Sequence, residues 1–294
     1  MEQKRKNAGA EKKREIKKWL RSFVLCTLLC IVWIICIHAV YEWMYAPLNE
    51  QVIEDAAWSE TDLDSEPTPE IKSEAEAQPA DSVIFLSPQE TAEAGPGIKL
   101  QDIPAYMGEP FTVINDNVPF FTEEEMNPEA YEYYSPLDEL GRCGVCVAGV
   151  GIETMPTEDR GNIGSVKPTG WVNNKYPGVV DGSYLYNRCH LIGFQLTGEN
   201  ANKGNLITGT RYINVVGMLP FENMVADFVK ETGYHVIYRI TPVFDGDDLL
   251  AHGVLMEAKS VEDDGEGILF NVYCYNVQPG IEIDYATGEN KLAD

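Results

Sequence analysis

The hydrophobic pattern is clearest in the C-terminal third of the chain, where apolar segments alternate with turn-forming residues. Runs rich in β-branched and aromatic residues predict three successive strands, at 234–244, 249–261 and 268–278. The segment before them, 220–233, has apolar residues at helical spacing and predicts an amphipathic helix. Pro220 suits the first turn of that helix, and Gly233 suits the position just after its end.

Earlier segments predict further strands separated by polar loops. The apolar run at 143–153 predicts a central strand, and 183–194 predicts a strand or one arm of a hairpin. A shorter strand is expected at 111–115. Clusters of Gly, Pro and Asn predict long loops at 155–171 and 199–210. The expected fold class is therefore α+β, with a mostly antiparallel central sheet.

A nearly unbroken apolar run close to the N-terminus predicts a transmembrane signal-anchor at 22–42. The preceding segment, 1–21, contains nine Lys or Arg and three Glu, so the positive-inside rule places it in the cytoplasm. The expected location is a single-pass cell membrane protein whose remaining chain lies outside. A secreted form left by cleavage of a signal peptide is the alternative, and both interpretations export the body of the protein.

The segment 43–97 is predicted to be a disordered acidic linker. It contains thirteen Asp or Glu and a single basic residue, Lys72, and it is rich in Pro, Ser and Ala. Such a composition buries too little apolar surface to offset the entropy of ordering. The remaining residues, 98–294, are predicted to form the folded domain.

The charge of the chain bears on which partners the domain can bind. A formal net charge of -25 argues against a nucleic-acid partner, because phosphate binding needs cationic groups. Beyond residue 21, however, only thirteen basic residues remain, and six of them fall within about fifty residues of one another. They are Arg160, Lys167, Lys175, Arg188, Lys203 and Arg211. A local positive groove on an acidic protein is consistent with phosphate binding.

One of the three histidines in the predicted domain stands out. His235 and His252 lie within predicted strands, where structural roles are expected. His190 instead ends the tetrad Asn187-Arg188-Cys189-His190, at the tip of a predicted strand and just before a polar loop. The polar residues that follow it in sequence are Asn205, Arg211, Asn214 and Glu222.

This order of residues resembles the DNA/RNA non-specific endonuclease family of the ββα-metal, or His-Me finger, superfamily. Segments at 153–171, 190–228 and 275–289 look most like the streptococcal secreted DNases and the DNA-entry nuclease within it. The resemblance covers roughly 130–290. It departs from the family tetrad Asp-Arg-Gly-His at two positions, where Asn187 replaces Asp and Cys189 replaces a small residue.

The resemblance implies a ββα-metal finger in which a hairpin carries His190 and a helix brings in Glu222. His190 would be the general base, since a histidine can accept a proton from water at neutral pH. Asn214 would bind Mg²⁺ (or Mn²⁺) directly and Glu222 would hold the ion through water. Asn205 would help to position the site. Arg188 and Arg211 would stabilise charge on the phosphate.

The implied activity is metal-dependent hydrolysis of phosphodiester bonds in DNA, and possibly RNA, without sequence preference and without an organic cofactor. Two other interpretations remain open. The chain could be a nucleic-acid-binding surface protein whose altered tetrad has lost turnover. It could also be a cell-surface thiol oxidoreductase that uses Cys143 and Cys146. The same pair could form a disulfide, whereas a zinc site is disfavoured because the sequence has no second Cys-x-x-Cys. The pairing of Cys143, Cys146, Cys189 and Cys274 cannot be determined from the sequence.

Overall fold

The computed structural model describes residues 97–293. The segments predicted at 1–21, 22–42 and, apart from Gly97, 43–97 lie outside the described residues. Within 97–293, no helix is both long and apolar enough to cross a bilayer.

The described part of the chain is dominated by strands, with two α-helices placed between them. The strands are β1 (Phe111–Val113), β2 (Tyr131–Tyr134), β3 (Cys146–Val150), β4 (Tyr186–His190), β5 (Leu206–Thr210), β6 (Val236–Val243), β7 (Gly253–Ser260), β8 (Leu269–Tyr275), β9 (Ile281–Ile283) and β10 (Asn290–Leu292). The helices are α1 (Phe194–Thr197) and α2 (Leu219–Thr232). A π-helix, Ile213–Met218, leads directly into α2, and short 3-10 turns occur at Leu100–Asp102, Asn115–Asn117 and Lys203–Asn205.

Six of these strands form one antiparallel sheet in the order β1-β8-β7-β6-β3-β2. The expected α+β class with a mostly antiparallel sheet is confirmed. Strands β6, β7 and β8 are buried along almost their whole length because both faces of the sheet are covered. Helix α2 packs on one face, and the segment before β1, with Ile98, Leu100, Ile103 and Tyr106, packs on the other. This double covering explains why the apolar residues of these strands do not simply alternate with polar ones, and why the buried Arg239 pairs with Glu257 at 2.8 Å.

A separate hairpin, formed by β4 and β5, precedes the π-helix and α2. The two strands pair in an antiparallel register that sets His190 opposite Leu206 and Tyr186 opposite Thr210. Helix α2 ends at Thr232, and Gly233 follows it in the left-handed conformation that closes the last turn, as its sequence position predicts. The chain thus has the strand–strand–helix order that the resemblance implies.

Three features differ from the sequence-based expectations. Strand β5 lies inside the segment 199–210, which was expected to be a loop. The Asn and Gly residues that favour a loop are concentrated before Leu206, whereas all five residues of β5 are buried. The predicted strand at 183–194 is confined to Tyr186–His190. The strands β2, β9 and β10 were not predicted, because short segments provide too few residues for a periodic pattern.

The other two histidines of the domain, His235 and His252, contact carboxylate side chains, which fits their expected structural roles. His252 contacts Asp248 through Nε2 at 2.8 Å and stacks on Tyr285. His235 contacts Glu262 through Nδ1 at 2.6 Å and Glu153 through Nε2 at 3.1 Å. Burial alone would lower the pKa of His235, but hydrogen bonds to these two carboxylates outweigh it and raise the pKa above its usual value.

We predict that His235→Gln destabilises the domain only where the imidazole is charged. Because folding raises the pKa of His235, its stabilising contribution is complete below the unfolded-state pKa of about 6.5 and is lost as pH rises through the folded-state pKa. Urea unfolding of both proteins should show a gap in unfolding free energy at pH 5.5 that closes by pH 9. A gap of the same size at both pH values would contradict the stabilising contacts between charged His235 and its two carboxylates.

Candidate active site

His190 occupies the last position of β4, where the hairpin gives way to the turn that leads into α1. Its side chain is almost completely buried. The ring atom Nε2 lies 2.8 Å from the backbone oxygen of Asn200. Since a carbonyl can only accept, Nε2 carries the proton and donates it, which leaves Nδ1 as the unprotonated nitrogen.

The surroundings of His190 keep its imidazole neutral. Burial and then the positive charge of Arg160 lower its pKa to about 4. The Nη2 atom of Arg160 lies 3.4 Å from Nδ1. Near neutral pH the unprotonated Nδ1 of His190 therefore faces the Arg160 guanidinium.

Glu222 lies in the first turn of α2, and its carboxylate is buried near the His190 turn. The backbone N–H of Gly193 donates to this carboxylate. A side chain at position 193 would collide with it, since a Cβ built on Gly193 would lie 2.6 Å from Oε2. The sequence combines a glycine in the turn with an acidic residue at the helix start, which lets the carboxylate approach the backbone closely.

The charge balance around Glu222 is incomplete. Burial raises the pKa of Glu222 to about 8, although the Arg160 guanidinium and the hydrogen bond from Gly193 both act to lower it. The same guanidinium thus acts electrostatically on both His190 and Glu222. A carboxylate buried with this little compensation would be stabilised by an additional cation.

The Asn205 side chain bonds to the backbone of the turn that follows His190. It is fully buried, with Oδ1 accepting from the backbone N–H of Ile192 at 2.8 Å and Nδ2 donating to the Ile192 oxygen at 2.9 Å. These two bonds tie the start of β5 to the turn that follows His190. The structure therefore agrees with a positioning role for Asn205, acting through the backbone.

Asn214 lies in the π-helix, one turn before Met218 and two turns before Glu222. Its Oδ1 accepts a hydrogen bond from the thiol of Cys189 at 3.1 Å. The same thiol lies 3.5 Å from the sulfur of Met218. Asn214 and Glu222 thus share the side of the helix that faces β4.

Arg188 contacts backbone oxygens of a neighbouring loop. Its Nε donates to the oxygen of Val166 at 2.5 Å and its Nη2 to the oxygen of Gly164 at 2.7 Å, while the guanidinium stacks on Trp171. These contacts attach the 164–166 loop to β4. They give Arg188 a structural task, and its predicted contact with phosphate stays a prediction.

The structure places Arg211 at the other end of the hairpin from His190. Arg211 follows β5 directly, at the end of the hairpin where Tyr186 pairs with Thr210, whereas His190 lies at the opposite end. Its backbone N–H donates to Leu185, and its Nη2 forms an ion pair with Asp181 at 3.2 Å. A five-residue strand spans more than 10 Å, so Arg211 is remote from the His190 ring.

Arg160 is the functional candidate that the sequence reasoning missed. It was counted only among the clustered basic residues, because it lies in a loop thirty positions before His190 and no spacing rule connects the two. Two of the other clustered residues, Lys167 and Lys203, are exposed. Lys175 packs over the ring of Tyr184.

The four cysteines within 97–293 are free thiols in buried positions. Burial raises the pKa of Cys143 to about 11, and it raises the pKa of Cys146 well above its usual value. Both thiols donate to backbone oxygens of the turn before β5. Because thiol exchange needs an accessible thiolate, this environment argues against the oxidoreductase interpretation. Among the described residues, no group of three or more His, Cys, Asp or Glu could hold a metal ion.

Comparisons with known proteins identify what the sequence and the fold of this chain are similar to. Residues 122–262 match the family model described as DNA/RNA non-specific endonuclease. A deoxyribonuclease from Streptococcus dysgalactiae subsp. equisimilis is 33% identical over 112 residues, which cover 36% of this chain and 33% of that protein. The chain thus matches about a third of the length of that curated relative.

Solved structures of NucA from Streptococcus agalactiae have a similar fold. The metal-free structure has a TM-score of 0.57 at 25% identity and covers 66% of this chain and 92% of NucA. The structure with a bound magnesium ion has a TM-score of 0.53 at 25% identity and covers 63% and 91%, respectively. Residues 122–262, just under half of the chain, are thus similar to the DNA/RNA non-specific endonuclease family, and the fold of the described residues is similar to that of NucA.

Proposed function

We propose that the domain is a metal-dependent endonuclease that hydrolyses phosphodiester bonds of DNA without sequence preference, and that RNA shares the same site. The observation that carries this proposal is the convergence of a neutral histidine and a buried carboxylate on one guanidinium. Such a trio can accept a proton, bind a phosphate and attract a cation, which are the tasks that phosphodiester hydrolysis requires.

In this proposal His190 is the general base. The hydrogen bond from Nε2–H to the Asn200 oxygen holds the ring in one orientation and one tautomer. The lone pair of Nδ1 then takes a proton from a water molecule as the water attacks phosphorus. Asn205 would keep the His190 ring in position, because its side chain bonds to the backbone of Ile192 in the turn that follows His190.

Arg160 would bind the phosphate that is attacked. Its guanidinium lies beside Nδ1, so a phosphate held by it lies next to a water held by the histidine. A guanidinium donates several hydrogen bonds to phosphate oxygens and stabilises the negative charge that develops on them. In this respect Arg160 takes the task that the sequence analysis assigned to Arg188 and Arg211.

The residues present fit a hard divalent cation such as Mg²⁺ or Mn²⁺. Asn214 offers an amide oxygen, Glu222 offers a buried carboxylate whose raised pKa indicates missing positive charge, and both face β4. Asn214 would bind the ion directly and Glu222 through water, with further waters and substrate phosphate completing the coordination. When bound, the ion would polarise the phosphate and stabilise the departing 3′ oxygen. With the ion bound, this arrangement would be the ββα-metal finger that the sequence resemblance implies.

Binding without sequence preference follows from contacts to the backbone of the nucleic acid. The exposed side chains of Lys167 and Lys203 carry positive charge. Lys167 follows the loop that Arg188 bonds to β4, and Lys203 lies in the short turn directly before β5. Contacts of this kind position a duplex but carry no sequence information. They also provide local positive charge on an otherwise acidic chain.

The location of the domain is a proposal from the sequence alone. The basic segment 1–21 and the apolar run at 22–42 favour a membrane anchor with the nuclease domain outside the cell. Protease treatment of intact cells that express the full chain should remove the domain if it is exported. Full protection would contradict export.

We predict that His190→Ala lowers the rate of plasmid nicking by about 10²- to 10⁴-fold, the usual contribution of a general base. The assay follows conversion of supercoiled plasmid to open circles by the purified full-length chain in Mg²⁺. His252→Ala, which removes another histidine of the same domain, is the matched control and should keep its activity. If the native protein binds plasmid but never nicks it in Mg²⁺, the degenerate binding interpretation replaces this one.

Arg160 and Arg211 provide a paired test of which arginine contacts the phosphate. We predict that Arg160→Gln lowers nicking on the order of a hundredfold, because it removes a donor to the developing phosphate charge. Arg211→Gln should leave nicking nearly unchanged in protein that circular dichroism shows to be folded, because Arg211 lies at the far end of the hairpin. Equal losses in the two variants would refute the assignment of the phosphate contact to Arg160.

Metal binding should depend on pH through Glu222. With a pKa of about 8, Glu222 is largely protonated at pH 6.5, and a cation must displace that proton. We predict that Mg²⁺ affinity, measured by calorimetry on the full chain, rises from pH 6.5 to pH 8.5, and that Glu222→Gln removes this rise. An identical pH dependence in Glu222→Gln would show that another group is responsible.

A further inference from the structure

Cys189 is a buried group that the proposed mechanism leaves without a task. It stands where the resembling family has a small residue, in the position directly before His190. The Cys189 side chain is directed towards the π-helix, where its thiol contacts Asn214. Its thiol is completely buried there.

The thiol proton has one preferred acceptor. The Cys189 sulfur lies 3.1 Å from Oδ1 of Asn214, 3.5 Å from the Met218 sulfur and 3.7 Å from the backbone oxygen of His190. A thiol has a single proton, and the amide oxygen is both the nearest of these atoms and a stronger acceptor than a thioether. Burial raises the pKa of this thiol well above its usual value, so the proton is present at neutral pH.

The hairpin is shaped to admit this thiol. Gly209 lies diagonally across from Cys189 on β5, and a Cβ built there would lie 2.6 Å from the Cys189 Cβ and 3.3 Å from Ile213. Any larger residue at 209 would therefore displace the side chain that reaches Asn214. The absence of a side chain at Gly209 on β5 therefore leaves the space that the Cys189 side chain on β4 occupies.

We propose that Cys189 is a positioning residue that fixes which atom of the Asn214 amide is available to the metal ion. An amide can rotate to exchange its oxygen and nitrogen, and only the oxygen can bind a cation. The thiol donates to the oxygen, so it stabilises the rotamer in which Oδ1 lies beside β4. One lone pair of Oδ1 accepts the thiol proton, and the second remains for the cation. This inference rests on the proposed role of Asn214 as a metal ligand.

The experiment measures Mn²⁺ binding to the purified full-length chain by the loss of the free-ion signal in electron paramagnetic resonance. Asn214→Ala gives the background from the acidic segments of the chain. We expect Cys189→Ala to weaken the site that depends on Asn214 by about three- to tenfold in Kd, the effect of losing one buried hydrogen bond. Cys189→Ser retains a donor and should bind Mn²⁺ nearly as the native protein does.

Two controls separate positioning from a general loss of packing. Cys274→Ala removes another fully buried thiol, one that contacts the Met256 sulfur, and should leave the Mn²⁺ Kd unchanged. In an Asn214→Ala background, Cys189→Ala should have no further effect on Mn²⁺ binding. If Cys189→Ala does not fold, Cys189→Gly carries the same test, because it also lacks the donor.

The outcomes distinguish this inference from the proposed function. If the native protein binds no more Mn²⁺ than Asn214→Ala, the metal role of Asn214 is wrong. If the native protein shows the Asn214-dependent site and folded Cys189→Ala matches its Kd, the metal role stands and the positioning role of Cys189 is overturned. The same conclusion holds if Cys189→Ser weakens binding as much as Cys189→Ala does.

Discussion

A carboxylate held in the interior of a protein is costly unless positive charge lies close to it, and this constraint organises the site around Glu222. The approach of the carboxylate to the turn after His190 requires a glycine at position 193 and places α2 against the hairpin. Arg160 supplies part of the missing charge and contacts His190 at the same time. The neutral imidazole, the raised pKa of the carboxylate and the fit to a divalent cation all follow from this one arrangement.

The fold supplies rigidity where the chemistry needs it. The six-stranded sheet buries its central strands on both faces, and α2 rests on it through a continuous apolar side. The hairpin of β4 and β5 is joined to this base through Asn276, whose side chain bonds to the backbone of both Thr208 and Thr210. The residues proposed to act on substrate therefore project from elements fixed by the core, with Arg160 as the loop residue among them.

Much of the fold and part of the site could be predicted from the sequence. The strands of the C-terminal third and the helix at 219–232 follow from apolar periodicity. The family resemblance predicts that His190, Asn205, Asn214 and Glu222 share one site, and the structure places Asn205 and Glu222 against the turn that follows His190. The roles of the arginines could not be predicted in the same way. A long, flexible side chain can reach a carbonyl, an aromatic ring or a phosphate from the same backbone position, and the choice depends on loops that carry no periodic signal. Arg188 contacts backbone oxygens, Arg211 pairs with Asp181, and Arg160 reaches His190.

The most direct test of the account is an anomalous difference map from crystals of the protein soaked in Mn²⁺. The account predicts one strong peak at coordination distance from Oδ1 of Asn214, separated from the Glu222 carboxylate by a water molecule and facing Nδ1 of His190 across a gap the size of a phosphate. A peak bound elsewhere, or an Asn214 amide and a His190 ring that face opposite sides of the hairpin with no shared cavity, would contradict it.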